Sequence, residues 1–124
     1  MQGTDLQAVV EAYLQAYNER DLARCMDFFA EDATIHFGMA VYRGRHAIEE
    51  WHEDRFAADL RVIRIDEIRV QGHTVIADVV VTSKRTKSWR LDPLGGRATV
   101  AFEEGEIKEV KFGLRTSLPV ERWR

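Results

Sequence analysis

Residues 75–82 read Val-Ile-Ala-Asp-Val-Val-Val-Thr, apolar at nearly every position. Successive side chains of a strand point to opposite faces, so a strand with one wet face alternates apolar and polar residues. A strand without that alternation needs cover on both sides. The sequence places one covering layer near its start. Leu6, Val9, Val10, Tyr13, Leu14 and Tyr17 recur at steps of three and four, which gathers them into one apolar stripe of a helix. The economical cover for the opposite face is a second copy of the chain, and a homodimer is expected on that ground.

The remaining pattern orders the elements. Thr4 followed by Gln7 is a capping-box spacing and predicts a helix start at Thr4. The stripe breaks at residues 18–21, and Asp21 is placed to cap a second helix that buries Leu22, Cys25, Met26 and Phe29. Ala33 to Phe37 reads as a short strand, Tyr42-Arg43-Gly44 as a turn, and Arg45 to about Ala58 as a third helix. Ile48, Trp51, His52 and Arg55 share one face of that helix. Beyond Arg61 the pattern is that of strands. Ile63 and Ile65 occupy odd positions, Ile68 and Val70 even ones, so a bulge near Asp66-Glu67 is predicted, and bulges bend sheets. Asp92 to Gly96 is expected to turn, and strands over 97–102 and 106–114 to be joined tightly through Glu103-Glu104-Gly105. Helices followed by antiparallel strands make an α+β architecture. We expect one domain over residues 1–124, a curved sheet wrapped around N-terminal helices and enclosing an apolar pocket.

Composition excludes several classes. Hydrophobic residues make up 45% and charged residues 31% of the 124, which is a globular balance. No long apolar run predicts a membrane span. A net charge of −3 offers no basic footprint for nucleic acid. Lys84, Arg85, Lys87 and Arg90 cluster, but Ser88 and Trp89 interrupt them, and they read as the charged edge of a solvated hairpin. The opening MQGTDLQAVV lacks the pattern of a secretory signal. Cys25 is the sole cysteine, so no intrachain disulfide forms and a cytoplasmic setting is expected. On an apolar helix face Cys25 reads as inert packing.

The order of several short segments is informative together. They are the stripe Val-Glu-Ala-Tyr-Leu-Gln-Ala-Tyr ending at Tyr17, then Asp21-Leu22, then Phe28 to Thr34. Arg43-Gly44 with Ala47-Ile48 follows, and then Phe-Glu-Glu-Gly-Glu-Ile ending at Ile107. In this order the chain resembles the SnoaL-like, ketosteroid-isomerase-like superfamily of conical, cystatin-like α+β domains, also called nuclear transport factor 2-like. That family includes isomerases, dehydratases, epoxide hydrolases, polyketide cyclases and non-catalytic binding modules, so the resemblance implies a pocket without fixing a reaction. Carried over residue by residue, the isomerase's phenolic oxyanion donor matches Tyr13, and its supporting tyrosine falls at His52. Its general-base carboxylate falls at or near Phe37, and its protonated acid near Ala98. A slip of one strand residue would exchange Phe37 for His36. With both carboxylates missing, isomerisation by that mechanism is not expected.

The candidate chemistry is therefore proton transfer without a cofactor. Tyr13 is either a core aromatic or a pocket donor, and Tyr17 is a wall residue. His52 is either a satisfied core histidine or a base and donor that works near neutral pH. His36 alternates with Ile35 and Phe37 and should face away from them. Asp78, mid-strand among apolar neighbours, needs a partner such as Arg97 or Arg55, and a dimer interface could supply one. Arg55 could instead meet an anionic ligand. Phe37, Trp51, Phe102, Val110, Phe112 and Leu114 are candidates for the lining. His36, His46, His52 and His73 show no metal-site spacing, so no metal is expected, and no Gly-rich phosphate loop follows a strand. Two functions stay open: an isomerase, cyclase or dehydratase of a small apolar organic molecule, or a non-catalytic ligand-binding or dimerisation module.

Overall fold

The structure, a computed structural model, describes residues 3–88 and 93–115. Its elements are α1 (Gly3–Asn18), α2 (Leu22–Asp27), β1 (Phe29–Phe37), β2 (Ala40–Arg43), α3 (Gly44–Ala57), β3 (Arg61–Gln71), β4 (Thr74–Thr82), α4 (Lys84–Ser88), β5 (Leu94–Glu103) and β6 (Glu106–Leu114). One mixed sheet takes the order β2-β1-β6-β5-β4-β3. Only β1 and β6 pair in parallel among the described strands; the other neighbours are antiparallel. The architecture is α+β, with the helices on one side of a curved sheet, as the sequence predicts.

The curvature has identifiable causes. Along β3 the register slips between Val62 and Arg64 and again between Ile65 and Glu67. The second slip is the bulge expected from the parity change. A further slip between Ala101 and Phe102 pairs Phe102 with Ile107 and Ala101 with Glu109. Lys108 is the extra residue, and Ile107 and Val110 consequently face the same side. At the β5–β6 turn, Glu104 and Gly105 both hold positive φ, 53° and 82°, the pairing that a tight primed hairpin turn requires.

Helix placement is fixed by polar contacts as well as apolar ones. Asp21 caps α2 by accepting from the Arg24 backbone N–H at 3.1 Å. The amide of Asn18 donates to the Val62 carbonyl at 2.7 Å and accepts from the Val62 N–H at 3.1 Å. Because β3 is an edge strand, these bonds occupy backbone groups that would otherwise be open. The stripe of α1 buries Leu6, Val10 and Tyr17 against the concave face of the sheet.

Some local expectations need correction. Phe29 opens β1 rather than closing α2, because α2 ends at the cap residue Phe28. Tyr42 and Arg43 form the short strand β2, and the chain turns instead at Gly38, φ 62°. Leu94, Gly95 and Gly96 lie inside β5, not in a turn. Glycine suits position 96 because a Cβ there would stand 2.6 Å from Cζ of Phe112. Lys84, Arg85 and Lys87 lie on the short helix α4 rather than on a hairpin edge. The side chain of Thr4, and with it the capping box, lies outside the described residues, as do Trp89, Arg90 and Asp92. No helix among the described residues is long and apolar enough to cross a membrane.

Candidate functional site

An apolar cavity of about 80 Å³ lies between the helices and the concave sheet. Helix α1 contributes Val10, Tyr13, Leu14 and Tyr17, and α3 contributes Trp51. Ile35 and Phe37 come from β1, with Leu60 and Val62 around the start of β3. The wall is completed by Ala77, Val79 and Val81 of β4, Ala98 and Val100 of β5, and Ile107, Val110 and Phe112 of β6. Alternation explains the selection on β4: odd positions face the helices, even ones the outside. Pockets for drug-sized ligands span roughly 300–1,000 Å³, so this cavity is well below that size. Phe37 and Phe112 stack at 5.6 Å with an 11° interplanar angle, closing part of the wall.

Behind this wall stands a polar pair. The Tyr13 hydroxyl lies 2.6 Å from Nε2 of His52, and His52 Nδ1 lies 2.8 Å from the Ile48 carbonyl. His52 is fully buried, at 0% exposure. A carbonyl can only accept, so Nδ1 carries the proton and donates to Ile48. Burial pushes the His52 pKa below 6.5, partly opposed by the Ile48 bond, so the ring is neutral at physiological pH. Nε2 of a neutral, Nδ1-protonated ring is an acceptor, and the Tyr13 O–H donates to it. Burial also raises the Tyr13 phenol well above its usual 10.0, which keeps the hydroxyl protonated. Cys25, packed near this pair, is pushed up to about 12 by burial; at neutral pH it is an unreactive thiol.

The placement of the predicted residues divides by face. Tyr13, Tyr17, Phe37, Trp51, Val110 and Phe112 line the cavity. His52 does not; it meets the wall through its hydrogen bond to Tyr13 and its edge contact with Trp51. Arg55 lies over the rings of Phe37 and Trp51, 4.7 and 5.8 Å from their centroids. Asp78 stands apart from the cavity. It occupies an even, outward position on β4 and is held by Arg97 through bonds of 2.7 and 3.1 Å. His36 also faces outward, 2.9 Å from Glu109 on the neighbouring strand. Phe102 belongs to the core without lining the cavity. Leu114 shares parity with Val110 and Phe112 but stands 59% exposed at the strand end.

Sequence reasoning did not single out two polar atoms among the cavity residues. The Tyr17 hydroxyl and the Trp51 indole N–H are buried with no hydrogen-bond partner. Both residues were visible as aromatic wall, but nothing in the sequence distinguishes a paired from an unpaired polar end.

Comparison with known proteins agrees with this architecture. The model of the SnoaL-like domain family matches residues 10–110, and the chain belongs to that family. A search of curated proteins finds no match. Among solved structures, a candidate polyketide cyclase of Sinorhizobium meliloti is 22% identical, covering 91% of this chain and all of its own, with a TM-score of 0.78. The epoxide hydrolase/cyclase-like enzyme SalBIII, described as acting in pyran ring formation in the polyether salinomycin, is 19% identical. It covers 92% of this chain and 93% of its own at a TM-score of 0.79. A candidate ketosteroid isomerase of Kribbella flavida is 15% identical, covering 92% and 80% at 0.77. At these identities the likeness is one of fold.

Proposed function

We propose that this chain is a cofactor-independent enzyme of the isomerase, cyclase or dehydratase type, acting on a small apolar organic substrate. The observation that carries the reading is the Tyr13–His52–Ile48 chain of hydrogen bonds ending on an apolar cavity. Tyr13 is the member that meets the substrate. Its proton points at His52, so its oxygen keeps lone pairs that can accept a substrate proton. As a substrate proton passes to that oxygen, the phenolic proton passes to Nε2 and His52 becomes an imidazolium. Return of the proton by the same route to a different substrate atom completes an isomerisation, with nothing consumed. Names of fold relatives, a cyclase and an isomerase among them, are consistent with such chemistry. No carboxylate lines the cavity among the described residues, so turnover of a 5-ene-3-ketosteroid at the rate of a dedicated isomerase is not expected.

The test is proton exchange in D₂O, read by NMR, with a panel of small apolar ketones and enones. Wild type should exchange a substrate C–H, and Tyr13→Phe should slow it by ~10²-fold or more. Binding without exchange by any member would favour the alternative reading, a non-catalytic ligand-binding module. One observation supports that alternative: both ring nitrogens of His52 are already occupied. We include a homodimer in the proposal on the strength of exposed Ile63 and Ile65. The outward side of β4 argues less for it than its sequence suggests, since Asp78 and Val80 are buried within one chain. Sedimentation equilibrium showing only the 14.3 kDa species would remove the dimer.

A further inference from the structure

We infer that Phe112 determines how large a substrate the cavity accepts, and that Gly96 fixes the place of its ring. This rests on the reading of the cavity as a substrate site and names the residue that sets its size preference.

Gly96 lies in the interior of β5, between Gly95 and Arg97. Glycine weakens a strand interior, because it packs nothing and loses more backbone freedom on folding than other residues. Its presence there calls for a cause. Alternation along β5 puts position 96 on the face of Ala98 and Val100, both of which line the cavity. A side chain at 96 would therefore point inward, and it would meet Phe112. A Cβ would stand 2.6 Å from Cζ and 3.1 Å from Cε1 of that ring, closer than the roughly 3.5–4.0 Å at which carbon atoms pack. The aromatic ring thus occupies the space that a side chain at 96 would take.

The register shows how the ring lies. Phe112 pairs with Ala98 on one side and with Phe37 on the other, while Gly96 pairs with Leu114. The ring therefore reaches along β5, past its own partner, toward the glycine. On its other side it stacks on Phe37, 5.6 Å away at an 11° interplanar angle. Gly96 and Phe37 together hold it in one place in the wall.

Two features separate this ring from its neighbours. It is the largest side chain that β5 or β6 contributes to the wall. It is also half-buried and packs against the smaller cluster of Ala77, Val79 and Val81, whereas Ile35, Val100 and Ile107 are buried in the main core. A change at 112 alters the room for a ligand without emptying that core. It also spares the Tyr13–His52 bond, since among the described residues the ring contact of Phe112 is with Phe37. Even one methylene in an apolar pocket discriminates substrates by about 10–200-fold, so the span of a ring is ample to set a preference.

The experiment is titration of the full chain with 2-butanone and acetophenone, read as the ratio of their affinities by NMR. Phe112→Ala should shift that ratio toward acetophenone by at least about tenfold, and Phe112→Leu should shift it the same way by less. Gly96→Ala, which pushes the ring from its place, should change the ratio in the Phe112 protein and leave it unchanged in the Phe112→Ala background, where there is no ring to push. Phe102→Leu, in the core but off the cavity, should leave the ratio as it is. Phe112→Leu keeps most of the apolar volume and carries the test by itself if an alanine variant does not fold. An unchanged ratio in Phe112→Leu and Phe112→Ala overturns the assignment and leaves the cavity standing. A Gly96→Ala effect of equal size with and without the ring overturns the role given to Gly96. Failure of both ketones to bind wild type and every variant overturns the assignment together with the small-molecule reading.

Discussion

The two faces of one sheet treat their polar groups in opposite ways. On the outer face, Asp78 is matched by Arg97 and His36 by Glu109, strand against neighbouring strand. Among the described residues lining the cavity, the strand side chains are apolar, and the polar ends belong to helix residues: the Tyr13–His52 pair, the Tyr17 hydroxyl and the Trp51 indole. The outer pairs are short cross-strand contacts that satisfy themselves near water. The inner groups are enclosed, and two of them are unsatisfied. Enclosure makes an electrostatic interaction stronger and an unpaired group costlier, so chemistry is expected inside, and surface pairing outside.

Removing the inner histidine should produce the largest effect. His52→Ala strands the Tyr13 hydroxyl and the Ile48 carbonyl and opens a void among Tyr13, Phe29, Trp51 and Phe56. We expect a loss of about 3–5 kcal/mol in urea-induced unfolding, from unsatisfied groups plus lost packing. A loss under about 1 kcal/mol would mean that the inner pair behaves like a surface contact.

Acid should separate the faces in two steps. His52 has a folded pKa below its unfolded 6.5, caused by burial. Its contribution to stability is complete above that value and falls away as pH drops from 6.5 toward the depressed folded value. Asp78 is held below 3.8, chiefly by its bond to Arg97 and against the effect of burial. Its contribution is present above 3.8 and is lost as pH falls through the lower folded value. Stability measured against pH should therefore fall first below 6.5 and again below 3.8. His52→Gln should erase the upper step alone, and Asp78→Asn should reduce the lower step, to which Asp32, Asp59 and Asp66 also contribute. A single step that neither substitution alters would contradict the assignment.

The smallest effect belongs to the outer histidine. His36 and Glu109 are both partly exposed, and such pairs contribute ~0–1 kcal/mol. His36→Ala should leave ligand binding unchanged and shift stability by no more than about that amount, as thermal melts would record. A loss of binding would place His36 at the site after all.

Much of this division was legible in the sequence. Periodicity put Tyr13 and Tyr17 on the inner stripe of α1, and strand alternation put His36 opposite Ile35 and Phe37, whereas Asp78 sits in a run that is apolar on both sides, where alternation gives no face. The Asp66 bulge could be read because the apolar residues change parity there. Leu114 and Phe102 misled because parity gives a side of the sheet and not a depth along it. The start of β1 at Phe29 was hidden because Phe28-Phe29 continues the helical spacing of α2, and nothing local signals that the chain extends. Unpaired polar ends on Tyr17 and Trp51 depend on neighbours contributed by several elements, which no local pattern records. The family resemblance puts Tyr13 and His52 at partnered positions, and a hydrogen bond joins them.

The central claim is that His52 is a neutral, Nδ1-protonated ring whose Nε2 accepts the Tyr13 proton beside an apolar cavity. Long-range ¹H–¹⁵N NMR of the histidine-labelled protein reads that state directly. The account predicts one histidine with Nδ1 protonated and Nε2 shifted as a hydrogen-bonded acceptor, unchanged as pH is lowered past 6.5. In Tyr13→Phe the Nε2 signal should move toward that of a free acceptor. A His52 ring that is protonated on Nε2, or charged at neutral pH, would contradict the account, because neither form can take the phenolic proton that the proposed chemistry hands to it.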